Sequence, residues 1–344
     1  MRPALQTTSG FVLLALLASQ PATRSAGAQA PASEPILRGV VVDSGGLPLP
    51  FVTVRVESPE RTVLTDAAGR FAIGGAAAGP RSVLVRHVGF VPWRGVLTAA
   101  HVPGAGPDTI RLARLVMRLA AVVVRPGQAC TAGGLAAGPD SAALAPLLTQ
   151  LRLNGERLRL VVGGDSVVRR YHRIREYVDG AETVVARRID TVVAPRVEAV
   201  RPYAPGRVAY RVSRRAWNLA FPTPDVVGED AFVRAHCFQY AGVDSAAGRA
   251  VYRVDFSAVE GLGGPDVSGT LWLDAATLEL RAATFRLAHA PGDLPDMEVE
   301  SRYSAAGDGR PVVAAMELRY RQRRTARVDG RDFVRTVERQ TLLP

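Results

Sequence analysis

The chain has 344 residues, 47% of them hydrophobic, which is enough to bury two ordinary cores. Its 43 basic residues are all arginine against 32 acidic ones, a net charge of +11. The missing lysine excludes Schiff-base chemistry, pyridoxal phosphate attachment and a phosphate-loop lysine together.

Residues 1–30 read as a secretory signal. Met1-Arg2 supplies the positive start, Phe11 to Ala18 a short apolar core, and Ala28-Gln29-Ala30 a small-residue cleavage site. The apolar run is too short to anchor in a bilayer, and no cysteine follows the cleavage site to take a lipid. The remaining chain is expected in the periplasm or cell envelope, not membrane-spanning after signal removal. Export argues against nucleic acid as the partner of the positive charge; anionic lipid or polysaccharide surfaces and plain solvated strand faces are the other readings.

Residues 35–125 read as a β-sandwich of about seven short strands. Phe51 to Glu57 places Val52, Val54 and Val56 on one face and Thr53, Arg55 and Glu57 on the other. Before it, Gly39 to Asp43 is a β-branched run, and Ser44-Gly45-Gly46 with Pro48 and Pro50 connects the two as an antiparallel pair. Asp66 and Gly69 form a turn into Arg70 to Ile73, and strands follow at Arg81 to Val88, Trp93 to Thr98 and Thr109 to Leu112. The strings Gly39-Val40-Val41-Val42-Asp43, Pro48 to Val54, Thr65 to Phe71 and Val88-Gly89-Phe90 resemble the carboxypeptidase regulatory-like domain, a transthyretin-like Greek-key sandwich. The resemblance spans roughly residues 36 to 124. In that family the module accompanies metallocarboxypeptidases, precedes TonB-dependent receptors or stands alone in the envelope. It implies no catalytic residues.

Residues 126–138 read as a Gly/Ala-rich junction, and residues 139–344 as an antiparallel β domain with a short N-terminal helix. About 220 residues are too few for the 22-stranded receptor barrel. Asp140 or Ser141 can cap a helix with Leu144, Leu147, Leu148 and Leu151 on one face, and Pro146 points to a start near Ala145 and a length of two or three turns. Asn154-Gly155 then reads as a turn into strands, beginning at Arg157 to Val162, Ser166 to Tyr177 and Glu182 to Val193, and continuing through Ala231 to Tyr240 to Asp332 to Leu342. Nine or more strands in meander order imply a curved sheet, a half-barrel or a closed barrel. The hairpin Trp272-Leu273-Asp274 to Leu278-Glu279-Leu280 resembles those of outer-membrane lipoprotein carriers, whose curved sheet wraps an apolar groove. From Pro224 through His236-Cys237-Phe238 to this hairpin, the chain resembles uncharacterised exported bacterial proteins with the same module in front; that resemblance brings no activity with it.

Cys130 and Cys237 are the only cysteines. In an oxidising compartment they read most simply as a disulfide, with two buried thiols or a metal pair with His236 as the competing readings. None of the histidines at 87, 101, 172, 236 and 289 begins a zinc-peptidase motif, and Val267-Ser268-Gly269 sits in a hairpin rather than a nucleophile elbow. His87 shares parity with Val83 and Val85 and reads as a packed histidine. Glu229, Asp230, Asp255, Glu260 and Asp266 offer carboxylates whose spacing favours no pair. Tyr203, Trp217 and Phe221 gather in one Pro-rich stretch, either as a ligand lip over the sheet or as a loop covering the core.

The expected protein is mainly β, without cofactor, metal site or enzymatic activity. It is an exported binding or adaptor protein whose partner is an envelope protein or an apolar, lipid-like ligand. An accessory subunit of a separately encoded hydrolase or peptidase is the alternative.

Overall fold

The computed structural model describes residues 36–75, 79–99, 107–117, 130–135, 139–164, 169–194, 203–213, 216–223, 225–246, 248–292, 294, 296–305 and 311–343. The expected signal segment lies outside the described residues, as does the stretch 118–129 that contains the expected boundary near 125.

Seven strands make the first unit: β1 (Ile36–Asp43), β2 (Thr53–Glu57), β3 (Glu60–Leu64), β4 (Arg70–Gly74), β5 (Gly79–Arg86), β6 (Trp93–Ala99) and β7 (Asp108–Leu112). They form two sheets, β4-β1-β7 and β3-β2-β5-β6, with β1 and β7 parallel and the other pairs antiparallel. Val52, Val54 and Val56 are fully buried against Leu37, Val41 and Ile73. The turn at Asp66 forms as its chemistry dictates: Ala68 N and Arg70 N both donate to Asp66 Oδ1 at 2.9 Å, and Gly69 takes φ +70°.

One expectation fails here. β1 and β2 are not a hairpin; they lie in opposite sheets, and the connection between them folds back on β1 through a bridge from Val42 to Pro48. Asp43 closes the Ser44-Gly45-Gly46 turn by accepting from Gly45 N and Leu47 N, and the chain then crosses the sandwich. The crossing is held by buried Thr65, whose hydroxyl accepts from Val52 N at 2.9 Å and donates to Leu49 O at 2.7 Å. A glycine-rich turn between two β-branched runs does not distinguish this crossing from a hairpin.

The second unit contains β8 (Gly134–Leu135), α1 (Pro139–Gly164), β9 (Arg169–Val178), β10 (Val184–Ala194), β11 (Ala209–Ser213), β12 (Ala216–Leu219), α2 (Asp230–Ala235), β13 (His236–Ala246), β14 (Arg249–Ala258), β15 (Asp266–Asp274), β16 (Leu280–Ala288), β17 (Met297–Ala305), β18 (Pro311–Val328) and β19 (Arg331–Leu342). Ten strands form one sheet in the order β10-β9-β19-β18-β17-β16-β15-β14-β13-β8; β11 and β12 pair separately. Strands β13 to β19 run as a meander, and the β9–β10 hairpin attaches afterwards, along β19. The sheet is open, with β10 and the two-residue β8 at its edges, so of the two closures expected from sequence the barrel is wrong. Helix α1 touches both β13 and β18, strands five positions apart in the sheet. The sheet therefore curls around the helix with its apolar face inward.

Helix α1 is far longer than the two or three turns expected, with Pro146 in its interior on an exposed position. Leu144, Leu147, Leu148 and Leu151 carry the core contact, and the same face continues to Asn154, Gly155 and Val161. Tertiary packing of that face outweighs the local cost of the proline. Arg157 to Val162 is thus helix, not strand. Ala231 to Tyr240 likewise begins as helix α2 and becomes strand only at His236, so there is a second helix. Among the described residues no helix is long and apolar enough to cross a membrane, which says nothing of a β-barrel.

Candidate functional site

The two units meet at the loop after β5. Gly89 takes φ +78°, and a Cβ there would stand 2.4 Å from Thr277 O, so only glycine lets the loop lie on the β15–β16 turn. Its N–H donates to Oε1 of buried Gln150 on α1 at 2.8 Å. Val88, Leu153 and Leu278 form a small apolar cluster beside it, with Leu115, Met117 and Tyr252 packed around. Asp274 shapes the receiving turn by accepting from Ala276 N and Thr277 N, each at 3.0 Å. Burial pushes the Asp274 carboxyl up, but these amides and Arg281 more than offset it and hold the group below its ordinary range.

Asn154 fastens the helix to the same turn. Its Nδ2 donates to Gln150 O at 2.9 Å and to Leu278 O at 3.0 Å, while Leu280 N donates to its Oδ1 at 2.9 Å. Gly155 follows because a Cβ there would sit 2.4 Å from Asp225 O. The Asn-Gly pair is therefore not a turn but a site of close helix-to-sheet approach. Ion pairs Arg86–Glu156 and Arg157–Glu279, both 2.8 Å, border the contact. His87 lies edge-on to Phe90 and donates its Nδ1 hydrogen to Val88 O at 2.7 Å. Burial, with Arg157 nearby, lowers it to about 4, so it is neutral near pH 7.

A second polar cluster is sealed beneath α2. His236 and Asp266 have no exposed surface. His236 stacks on Phe232 with ring centroids 3.9 Å apart, and its Nδ1 and Nε2 lie 2.8 Å from Phe232 O and 2.9 Å from Val267 O. Asp266 Oδ1 is 3.4 Å from Nε2 and accepts from Val267 N, while Oδ2 accepts from Tyr203 Oη at 2.6 Å and Gly206 N at 2.7 Å. Burial raises the Asp266 carboxyl, yet the bonds from His236, Gly206 and Tyr203 win and leave it below the ordinary range. Burial, then the Asp266 bond, pushes the Tyr203 phenol up. Both ring nitrogens of His236 face backbone carbonyls, which ties the pair into the packing beneath α2.

Cys130 and Cys237 form the disulfide, Cα atoms 5.7 Å apart across 107 residues. The competing metal pair with His236 fails, since neighbouring strand residues point to opposite faces: Cys237 faces outward and His236 into the core. Of the aromatic stretch, Tyr203 bonds Asp266 and packs on Phe232, Phe221 packs against the main core, and Trp217 sits on the β11–β12 hairpin with the Arg211 guanidinium 4.7 Å over its ring. The carboxylates are dispersed: Glu229 pairs Arg159, Asp230 pairs Arg152, and Asp255 takes Arg253 and Thr270. Among the described residues no three His, Cys, Asp or Glu side chains gather as a metal group.

The convex face carries a feature that sequence reasoning missed. Seven charged residues of alternating sign cross six strands, from Arg187 through Glu176, Arg339, Glu317, Arg319 and Glu298 to Arg286. Burial raises Glu176, but Arg339 and Arg187 bind it more strongly and hold it below the usual carboxylate range; Glu176 in turn raises Arg339. Strand alternation located each of these residues on a polar face, but only the cross-strand register aligns them.

Residues 36–113 match the family model of the carboxypeptidase regulatory-like domain, a non-catalytic module that coincides with β1 to β7. The docking glycine at 89 belongs to the Val-Gly-Phe string of that resemblance. No curated protein gives a significant match. Among solved structures, the chain is similar to a DUF1329 family protein from Desulfovibrio piger, at 12% identity and TM-score 0.29, over 56% of this chain and 91% of that one. It is also similar to the Bacillus anthracis TIE protein, at 10% identity and TM-score 0.21, over 88% of this chain and 47% of that one. The chain thus spans about half the length of the latter.

Proposed function

We propose that the chain is a non-catalytic, exported envelope protein that acts as an adaptor, presenting two β surfaces in a fixed relation. The observation that carries this reading is the occupant of the curled sheet: the apolar face that would line a carrier's groove is packed with the chain's own Leu144, Leu147, Leu148 and Leu151. The docking of Gly89 against Gln150 and Thr277 supports the fixed relation. The Cys130–Cys237 bond fits an oxidising compartment.

Native mass spectrometry of the processed protein from its own envelope tests the proposal. A chain free of lipid-sized mass, whether alone or bound to a further protein chain, is expected; extra mass of lipid size would overturn the adaptor in favour of a carrier. The regulatory-like module itself favours one second reading, an accessory chain of a hydrolase or peptidase. A catalytic subunit that copurifies with the chain would support it.

A further inference from the structure

We propose that two copies of this chain pair through β10, antiparallel about a two-fold axis at Ile189, so that one sheet continues across the dimer. Strand β10 is 11 residues long and bonds β9 on one side; among the described residues no strand lies on its other side. At the opposite edge β8 covers only Cys237 and Phe238 of β13, and the rest of β13, to Ala246, carries Asp244 as its one charged residue, with no basic partner for it in a second copy. Along β10, Val184, Ile189 and Val193 are 43%, 59% and 53% exposed, and the edge backbone beside them faces no strand among the described residues, though Val185 O accepts from the Arg331 side chain at 3.1 Å.

The charge pattern selects a second copy as the occupant. Turned about Ile189, the strand is complementary to itself: Arg188 falls opposite the partner's Asp190, twice by symmetry, while Ile189 meets the partner's Ile189 and Val185 the partner's Val193. Within one chain Arg188 stands in register with Arg175, whose guanidinium turns to Glu338, and its own guanidinium lies over Tyr177 with Asp329 at 3.3 Å. Asp190 is held from the β9 side by Arg173. The partner's Asp190 would arrive on the open side of Arg188. Arg187, Ile189 and Thr191 alternate with these residues and lie on the convex face, in line with Glu176.

The test is sedimentation velocity of the full chain over a concentration series, with Arg188→Asp and Asp190→Arg variants alone and mixed. Both side chains are half exposed or more, 57% and 50%, so the substitutions leave the core intact. Wild type is expected to dimerise reversibly. Each variant alone sets like charges opposite each other twice and should raise the dissociation constant about tenfold or more. Mixing the two variants restores both Arg–Asp pairs, so the mixture should recover dimer. Hydrogen exchange of the wild type gives a readout free of any variant: β10 amides should gain protection as concentration rises. A wild-type chain monomeric throughout, variants that dimerise like wild type, or a mixture that stays monomeric would each overturn the proposal. A strand supplied by another protein corresponds to the first of these outcomes.

Discussion

Replacing Asn154 by alanine removes one side chain and breaks three hydrogen bonds. Asn154 is 7% exposed, and its carboxamide is the partner of Leu280 N and Leu278 O. The third bond, to Gln150 O, runs along the helix. A buried amide left without an acceptor costs about 1–3 kcal/mol, and each of the two further bonds lost about 1 kcal/mol, so the variant should lose about 3–5 kcal/mol. Equilibrium urea unfolding, read by circular dichroism with the slope held common to both proteins, measures that loss. Hydrogen exchange at Leu280 should accelerate in the variant while amides of β1 keep their protection. Thr149→Ala, five residues earlier on the exposed side of the same helix, is the control and should shift stability by less than about 0.5 kcal/mol. A loss for Asn154→Ala below about 1 kcal/mol, or unchanged exchange at Leu280, would refute the reading of this residue as the fastener between helix and hairpin.

The His87 environment sets a pH dependence. Its folded value is depressed to about 4 from 6.5, so the fold prefers the neutral ring; stability is fully present above about pH 6.5, falls as the unfolded chain protonates below it, and loses at most about 3 kcal/mol by pH 4. The carboxylates held low, Asp266, Asp274 and Glu176, act only at more acid pH, below the ordinary carboxylate range. Unfolding curves from pH 7.5 to 4.5 should therefore slope in wild type and flatten in His87→Gln; an equal slope in both would assign the effect elsewhere. The disulfide closes a long loop, and its removal by Cys130→Ser with Cys237→Ser should cost up to about 4–5 kcal/mol in the chain-entropy description. Intact mass should rise by two hydrogens on reduction, and an unchanged mass would remove the cross-link.

Much of the fold is legible in the sequence because strand alternation is a local signal. Val52, Val54 and Val56 announce their buried face without help from the rest of the chain, and Asp66 with Gly69 states a turn within five residues. The cysteine pair was legible for another reason, since the chain holds only two. What misled were residues whose meaning depends on a distant neighbour. Asn154-Gly155 carries turn chemistry, yet its partners Asp225 and Leu278 are supplied far along the chain. Pro146 argued for a short helix, and only the inward face shared with β13 and β18 shows why the helix continues past it. The β1–β2 crossing depends on the Thr65 hydroxyl, which no pattern around Gly45 reveals. The meeting of Gly89 with Gln150 and Thr277 had no local signature beyond the glycine itself, which stood only as part of the Val88-Gly89-Phe90 string.

The attachment of β9 along β19 sets an order of assembly for the emerging chain. Arg175 meets Glu338 across 163 residues, so the β9–β10 hairpin exists long before the strand that will hold it. Cys130 likewise waits for Cys237, and the sandwich, whose strands are complete by Leu112, waits for Thr277 and Leu278 before it can dock. Closing such separations is slow and leaves strand edges uncovered meanwhile. As the chain emerges the first unit can fold at once, while the second keeps its early hairpin unsupported until β19 arrives; that interval is when a chaperone has most to hold.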